Sequence, residues 1–261
     1  MGRKLRNALS WIRSIFFFDP LIYVYTVVLG TMSLVSSLWD RDGRTQHGFA
    51  RLWSWLILHT IWSPAHVRGL DNIDLSRPHV FVANHSSALD IPVLYTSLPR
   101  QFRIVAKEEL FKYPFMGWHL RRSGQVPIAP GNKLSSMRSL LRAVPGLQGG
   151  MPLAVFPEGG RSPNGKITPF MSGACYIAIK AEVDIVPMAI IGTYEVLPMN
   201  SFHIRPGKIE LVVGQPISTA GRTLHDAENL TQEIQAAVED LFYARAKVSD
   251  PRPPEKAITR F

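Results

Sequence analysis

The sequence has 261 residues, with 29 Lys plus Arg against 20 Asp plus Glu, so its formal net charge is +9. Hydrophobic residues make up 46% and charged residues 19%, which excludes a disordered chain. The length is compatible with a single α/β domain. The single cysteine, Cys175, excludes an intramolecular disulfide framework and fits a reducing compartment.

The positive charge is concentrated in two blocks. Residues 1–66 carry a net charge of +4 and residues 100–142 a net charge of +7, whereas residues 67–99 and 143–261 each carry −1. Localised basic blocks indicate an anionic partner, either nucleic acid, a membrane surface or a phosphorylated substrate. Nucleic acid is the least supported, because no nucleic-acid-binding module is recognisable and the cations adjoin apolar segments.

The N-terminal block predicts a membrane anchor. Residues 20–39 contain no charged side chain over 20 positions, which is about the minimum length that crosses a hydrocarbon core. Asp19 and Pro20 interrupt the apolar run, and a second apolar segment at residues 52–62 is too short to span but carries tryptophans suited to the interface. We favour two helices embedded in one leaflet and joined by the polar residues 40–48. A transmembrane span and a pair of ordinary core helices are the alternatives.

From residue 67 onward, short β-rich runs alternate with helical stretches. Six runs predict strands, at residues 79–83, 102–106, 126–128, 153–156, 184–191 and 209–213. Four stretches predict helices, at residues 91–98, 134–144, 173–181 and 224–246. The pattern predicts an α/β fold with a mixed sheet covered by helices. We predict membrane-anchoring helices over residues 1–64, an α/β domain over 65–248 and a flexible tail over 249–261.

The first pattern that carries chemistry is NHSSALD at residues 84–90, directly after a predicted strand. Five helical steps would place His85 and Asp90 about 140° apart, so they meet only if His85 lies in the turn and Asp90 begins the next helix. Asp90 would then fix the histidine tautomer and leave the other ring nitrogen as a base toward a substrate hydroxyl. Ser86 and Ser87 are candidate helix caps. By itself the spacing equally fits a histidine that caps a strand end.

The second pattern is FPEGGRS at residues 156–162, where a β-rich run ends in a glycine pair. Glycines let backbone N–H groups approach an anion, and Arg161 can bind a phosphate with two parallel hydrogen bonds. Lys107 follows another predicted strand inside the most basic block and is a candidate second phosphate contact. Read alone, the glycine pair equally fits a surface turn.

Together these patterns resemble the lysophosphatidic acid acyltransferase family, the 1-acyl-sn-glycerol-3-phosphate O-acyltransferases or PlsC type glycerolipid acyltransferases. The four blocks of that family appear in order as NHSSALD at 84–90, KEEL at 107–110 through GWHLRRSGQVPIAP at 117–130, FPEGGRS at 156–162 and IVPMAI at 185–190. The resemblance covers roughly residues 65–215, and the amphipathic N-terminus resembles the membrane-embedded helix pair of the family.

The resemblance implies that His85 is the general base and Asp90 its partner. They would move an acyl group from an acyl-CoA or acyl carrier protein thioester to the free hydroxyl of 1-acylglycerol-3-phosphate, giving phosphatidic acid. Backbone N–H groups near the motif are the natural candidates for oxyanion donors. We expect no cofactor and no metal. The expected partners are membrane lipids, a lysophospholipid and the acyl donor, and the expected location is the cytoplasmic face of a membrane.

The resemblance also implies a set of substrate-binding positions: Asn84, Lys107, Glu158, Gly159, Gly160 and Arg161. Lys107 and Arg161 would hold the acceptor phosphate. Glu158 with Gly159 would shape the site for its glycerol.

Two positions depart from the family pattern. The second block often ends in Phe-Ile-Asp-Arg, whereas residues 127–130 are PIAP, so Pro130 stands at the expected arginine. The third block often has threonine where this chain has Gly160. The first change weakens the expected phosphate clamp and leaves the acceptor headgroup open, although Arg121 or Arg122 could compensate.

Three other functions stay open. Another lyso-lipid, such as lyso-ornithine lipid, could be the acceptor. A thioester or lipid hydrolase could use the same His–Asp pair to activate water. A non-catalytic lipid-binding protein would need only the basic block and the anchor, and the intact pair of His85 and Asp90 argues against it.

Overall fold

The computed structural model of the protein describes residues 3–129 and 131–252. Within them lies a seven-stranded sheet made of β1 Ala65–Arg68, β2 Val80–Ala83, β3 Arg103–Lys107, β4 Val126–Ile128, β5 Leu153–Val155, β6 Ile185–Ile191 and β7 Ile209–Val213. The order across the sheet is β1-β7-β6-β2-β5-β3-β4, and every neighbouring pair is parallel except the antiparallel pair β6–β7. The prediction of a mixed sheet is confirmed.

Six strands lie on the six predicted runs, and β1 is the strand that the sequence analysis missed. It is a four-residue strand at the edge of the sheet, and three of its four side chains are exposed. An exposed edge strand needs no apolar alternation, so its sequence carries little signal. The central strand β2 is the opposite case, because all four of its residues are buried, as a strand covered on both faces requires.

The helices are α1 Arg3–Arg13, α2 Asp19–Ser36, α3 Arg44–Thr60, α4 Asp90–Ser97, α5 Met116–Arg122, α6 Lys133–Leu141, α7 Val144–Gln148, α8 Gly173–Ala181, α9 Thr193–Val196 and α10 Ala227–Tyr243. Helices α3 and α4 pack on one face of the sheet, and α7, α8 and α10 pack on the other. Neighbouring residues of β2 divide between the two cores, since Phe81 belongs to the first and Val82 to the second.

Helices α1 and α2 form one rod, joined by a π-helical turn at Ser14–Phe18. Asp19 and Pro20 interrupt the apolar run, but the chain passes through both residues as helix. A proline lacks the amide proton and crowds the preceding turn, and the wider π turn directly before it makes room. Helix α3 also begins earlier than predicted, at Arg44, so part of the polar connection is helical.

The rod touches the α/β domain near both of its ends. Ser10 Oγ lies 2.9 Å from His203 Nε2, and Ser33 Oγ, about 35 Å farther along the helix, lies 3.1 Å from His119 Nδ1 of α5. Between these contacts Phe18 is fully buried in the core that α3 and α4 share with the sheet. The rod therefore follows the domain along its length.

The outward side of these helices is apolar. More than a third of each of the following side chains is exposed: Leu9, Trp11, Ile12, Ile15, Phe16, Phe17, Tyr23, Val24, Val27, Val28, Met32, Val35, Leu38, Trp39, Leu52, Trp55 and Trp62. By length and composition, Asn7–Ser36 is the one helix of the described residues that is long and apolar enough to cross a membrane. A core helix buries such side chains, so the core-helix alternative is wrong for this rod.

The division into three parts stays a prediction. The last part of the predicted tail, residues 253–261, lies outside the described residues.

Candidate active site

His85 and Asp90 meet as the spacing predicts. His85 lies in the turn after β2, Asp90 is the first residue of α4, and His85 Nδ1 donates to Asp90 Oδ2 at 2.7 Å. A carboxylate oxygen only accepts, so the proton sits on Nδ1 and the lone pair on Nε2. The ring stacks on Phe156 with 4.2 Å between centroids, and the side chain is 17% exposed. One nitrogen is thus fixed and the other remains available to a substrate.

The Asp90 carboxylate is fully buried and fully bonded. Besides His85, its Oδ2 accepts from the amides of Ser86 at 2.7 Å and Ser87 at 2.9 Å, and its Oδ1 accepts from Thr193 Oγ1 at 2.5 Å. Four donors offset the cost of burying this charge. The prediction that Ser86 and Ser87 cap α4 is wrong, since no side chain caps that helix and their backbone amides bind Asp90 instead.

Asn84 joins the ends of β2 and β6 through its side chain. Its Nδ2 donates to Ile190 O at 2.9 Å, and its Oδ1 accepts from Ile190 N at 2.7 Å. The residue is only 2% exposed, so both polar groups are engaged and shielded. This favours a role in holding the strand ends together over the predicted contact with substrate.

Glu158 ties the FPEGGRS loop to the turn that carries His85. Its Oε1 accepts from the backbone amide of His85 at 2.7 Å, and its Oε2 accepts from Thr168 N at 2.9 Å and Oγ1 at 2.7 Å. Burial raises the pKa of Glu158 above 4.5, and the hydrogen bonds from Thr168 and His85 oppose that rise. The amide of Ser162 also donates to His85 O at 2.8 Å. The loop therefore holds the turn of His85 at two points.

Two cations lie beside this turn. Lys107 is the last residue of β3, and its Nζ would lie 3.9 Å from a Cβ placed on Gly160. Arg161 is exposed and directly precedes Ser162, whose amide holds the backbone of His85. Neither cation forms an ion pair or a side-chain hydrogen bond with the part of the chain that the structure describes. Both positive charges thus remain free to bind an anion.

Glycine occurs at the two neighbouring positions of the loop for different reasons. Gly159 has a φ of +72°, a conformation that L side chains rarely adopt, so its turn favours glycine. A Cβ on Gly160 would meet no atom closer than Lys107 Nζ at 3.9 Å, so close packing does not require glycine here. Glycine at this position widens the space in front of Lys107.

The suggested compensation for Pro130 gains no support. Arg121 donates to the backbone oxygen of Phe111, and Arg122 Nη1 donates to Ser37 O at 3.5 Å. Both guanidinium groups therefore contact backbone next to α2 and α5. Pro130 itself lies outside the described residues.

Three amides of the motif, those of His85, Ser86 and Ser87, are not free to bind an oxyanion. The amide of His85 binds Glu158, and those of Ser86 and Ser87 bind Asp90. The amides of Gly160 and Arg161 have no hydrogen-bond acceptor within the described residues, which makes them the better candidates.

Thr193 and Thr168 are supporting residues that the sequence analysis missed. Thr193 follows the end of β6, the strand beside β2. A polar residue directly after a predicted strand could have indicated its place in the site. Thr168 lies in a loop with no periodic pattern, and only the structure shows its two bonds to Glu158.

Known proteins are similar to this chain in sequence and in fold. The family model described as Acyltransferase matches residues 64–191. The fold is similar to the crystal structure of the 1-acyl-sn-glycerophosphate (LPA) acyltransferase PlsC from Thermotoga maritima, with a TM-score of 0.74 and 30% identity over 95% of this chain and 100% of that chain. This chain belongs to the acyltransferase family.

Two curated members of the acyltransferase family are chloroplast 1-acyl-sn-glycerol-3-phosphate acyltransferases. The one from Brassica napus is 33% identical over 201 residues, which are 75% of this chain and 58% of that protein. The one from Arabidopsis thaliana is 33% identical over 183 residues, which are 69% of this chain and 51% of that protein. This chain therefore spans between half and two thirds of the length of these relatives.

Proposed function

We propose that this protein transfers a fatty acyl group from a thioester of CoA or acyl carrier protein to the free hydroxyl of 1-acylglycerol-3-phosphate, giving phosphatidic acid. The observation that carries the proposal is the orientation of His85 by the buried, four-bonded carboxylate of Asp90, beside two free cations. Relatives named 1-acyl-sn-glycerol-3-phosphate acyltransferases support the choice of acceptor.

In the proposed reaction, Nε2 of His85 removes the proton from the acceptor hydroxyl as its oxygen attacks the thioester carbonyl. Asp90 stabilises the imidazolium that forms. When the tetrahedral intermediate collapses, the C–S bond breaks, the new ester remains on the acceptor and the thiolate takes the proton from His85. The chain needs no nucleophilic side chain, because the acceptor supplies the attacking oxygen.

The loop and the cations supply the binding groups in this proposal. Lys107 and Arg161 hold the acceptor phosphate, for which a guanidinium and an ammonium are suited donors. The amides of Gly160 and Arg161 stabilise the oxyanion of the tetrahedral intermediate. Glu158 keeps the loop against the turn of His85 while the acceptor is bound.

We propose that the N-terminal helices lie in one leaflet on the cytoplasmic face of the membrane. A spanning helix must leave its domain for about 30 Å, whereas Ser10 and Ser33 both contact the α/β domain. The outward apolar face of the rod fits lipid chains, and the basic residues at its start, Arg3 and Lys4, favour the cytoplasmic side. This position brings the site to the surface from which a lyso-lipid arrives.

The test is a labelled acyl-CoA assay on vesicles with a panel of lyso-lipids and the His85→Ala variant. We expect a loss of about 10²–10⁴-fold in acyl transfer with vesicle binding unchanged. The exposed His66 offers a matched control, because His66→Ala removes an imidazole away from the site and should leave the rate unchanged. Retention of more than a few per cent of activity by His85→Ala would rule out its role as base.

The same assay separates the alternatives. A hydrolase would release free fatty acid at the same rate with and without a lyso-lipid. Faster turnover of lyso-ornithine lipid than of lysophosphatidic acid would replace the proposed acceptor. A non-catalytic lipid-binding protein would transfer no acyl group with any acceptor or with either donor.

A further inference from the structure

The chain after Lys107 forms a turn whose apolar side chains face solvent. We call these residues the aromatic turn: Leu110, Tyr113, Phe115, Met116 and Trp118. Their exposed fractions are 36%, 59%, 73%, 51% and 43%. Over residues 107–118, only Phe111 and Gly117 are buried. Clustered exposed apolar side chains of this kind indicate an interaction surface.

The conformation of the turn is unfavourable for its sequence and is nevertheless held firmly. Phe115 has φ +61° and ψ −60°, a region that favours glycine. Gly117 N donates to Tyr113 O at 2.8 Å, and the Arg121 side chain donates to the carbonyl of Phe111. A Cβ on Gly117 would lie 2.0 Å from that same carbonyl oxygen, so the two segments are in direct contact. The turn thus holds an outward phenylalanine where glycine would cost less.

The aromatic turn continues into the apolar face of the N-terminal rod. Helix α5 begins within the turn and contacts α2, where His119 Nδ1 lies 3.1 Å from Ser33 Oγ and Arg122 donates to Ser37 O. Next to these serines, Val35 and Leu38 of the same segment are exposed. The two apolar surfaces therefore adjoin along the line where α5 meets α2.

Basic side chains border the turn. Lys112, Arg121 and Arg122 are exposed, and each lies within a few residues of Phe115 in the chain. Aromatic and aliphatic groups rimmed by cations fit the boundary between acyl chains and anionic headgroups. A protein partner could bind the aromatic turn without contacting the N-terminal rod. Because the apolar surface of the turn adjoins the lipid-facing surface of the rod, the arrangement favours a lipid bilayer as the binding partner.

We propose that the aromatic turn inserts into the same leaflet as the N-terminal rod and forms a second lipid contact beside the candidate site. The inference rests on the proposed membrane association of the rod. Because Lys107 begins the segment that carries the turn, insertion holds its Nζ at the level of the lipid phosphates. The acceptor phosphate then meets Lys107 without leaving the headgroup layer.

The direct test uses one fluorescent probe on the full chain. Cys175 is the single cysteine and is buried, so a Cys175→Ala background accepts a thiol-reactive, polarity-sensitive dye only at an introduced position. With Phe115→Cys in that background, we expect a blue-shifted emission on vesicles of phosphatidylcholine and phosphatidylglycerol. We also expect quenching by lipids that carry a spin label on the acyl chain.

Two reference positions make the result decisive. Val28→Cys, on the exposed face of α2, reports insertion of the rod, and Leu224→Cys, on the side of α8 and α10, reports water. If the dye at Val28 inserts while the dye at Phe115 behaves like that at Leu224, this inference is overturned and the rod stays in the membrane. If the dyes at Val28 and Phe115 both stay in water, the membrane association is overturned as well.

A second variant removes the ring without disturbing the fold. Phe115→Gly places glycine at a positive φ, so we expect a melting temperature at least as high as that of the wild type. Its partitioning onto the same vesicles should be roughly tenfold weaker, which is about 1.4 kcal/mol. Leu224→Gly is the matched control for loss of one exposed apolar side chain. Unchanged partitioning of Phe115→Gly would contradict the insertion of the turn.

Discussion

The two halves of the candidate site lie side by side and are held in opposite ways. Asp90 is fully buried and accepts four hydrogen bonds, and His85 is fixed by that carboxylate and by the Phe156 ring. Lys107 and Arg161 are exposed, and their side chains form no hydrogen bond or ion pair with the described residues. The proposed base is thus organised by the chain itself, while the proposed anion site is completed only by its ligand. Substitutions in the first half should lower kcat, and those in the second should raise KM.

The strongest test of this contrast is Asp90→Asn. The amide oxygen can replace Oδ2 toward His85 and the two backbone amides, and its Nδ2 can donate to Thr193, whose hydroxyl also accepts. The variant therefore removes the charge that stabilises the imidazolium and keeps the geometry. We expect kcat to fall by about 10²–10³-fold with KM nearly unchanged, measured by initial rates on vesicles. A variant that keeps the wild-type kcat would show that the buried charge is not part of the mechanism.

The second test removes the cations one at a time. Lys107→Ala and Arg161→Ala each lose a charge-assisted hydrogen bond, so KM for lysophosphatidic acid should rise about 10–100-fold. Turnover of monoacylglycerol, which lacks the phosphate, should not change. Lys180→Ala removes an exposed cation from α8 and is the matched control. An equal loss of activity with both acceptors would show that the cations do not bind the phosphate.

The third test separates positioning from chemistry at Asp90. Thr193→Val keeps the shape of the side chain and removes the 2.5 Å bond to Asp90 Oδ1. We expect kcat to fall roughly tenfold, because a hydrogen bond to a charged group contributes about 1.5–3 kcal/mol and only part of it orients the ring.

Ser87→Ala is the control for Thr193→Val. The Ser87 hydroxyl donates to Leu197 O at 2.7 Å and makes no bond to the carboxylate, so its loss should lower stability and leave kcat nearly unchanged. Thr193→Ser, which restores the hydroxyl, should recover most of the rate. If Thr193→Val and Ser87→Ala lower kcat to the same extent, Thr193 does not position the pair of His85 and Asp90.

The sequence was sufficient for the elements and residues that follow local rules. Short β-rich runs predicted six of the seven strands, and the spacing of His85 and Asp90 required the strand–turn–helix geometry that the structure shows. What it missed depends on contacts between distant segments. The bond from Thr193 to Asp90 joins residues 103 positions apart, and that from His85 to Glu158 joins residues 73 apart.

Local rules also failed where neighbouring turns compensate. Pro20 stands near the start of a helix that continues through it, and the π turn at Ser14–Phe18 absorbs the crowding. Ser86 and Ser87 fitted the composition of a helix cap, yet no side chain caps α4, and Asp90 at its start accepts from their backbone amides. In both cases the deciding partner lies within a few residues, but its geometry cannot be inferred from residue types alone.

The smallest expected effect concerns Glu158, which links the two halves. Its pKa is raised by burial, so its contribution to stability is present at low pH and is lost as pH rises from 4.5 through the raised pKa. The free energy of unfolding of the wild type relative to Glu158→Gln should therefore fall with rising pH, by at most about 1.4 kcal/mol per pH unit.

Glu210 is the matched control, because its hydrogen bond from Lys208 lowers its pKa. The difference between wild type and Glu210→Gln should fall as pH decreases, with the opposite slope. Parallel slopes for the two variants in denaturant titrations would show that burial does not dominate at Glu158.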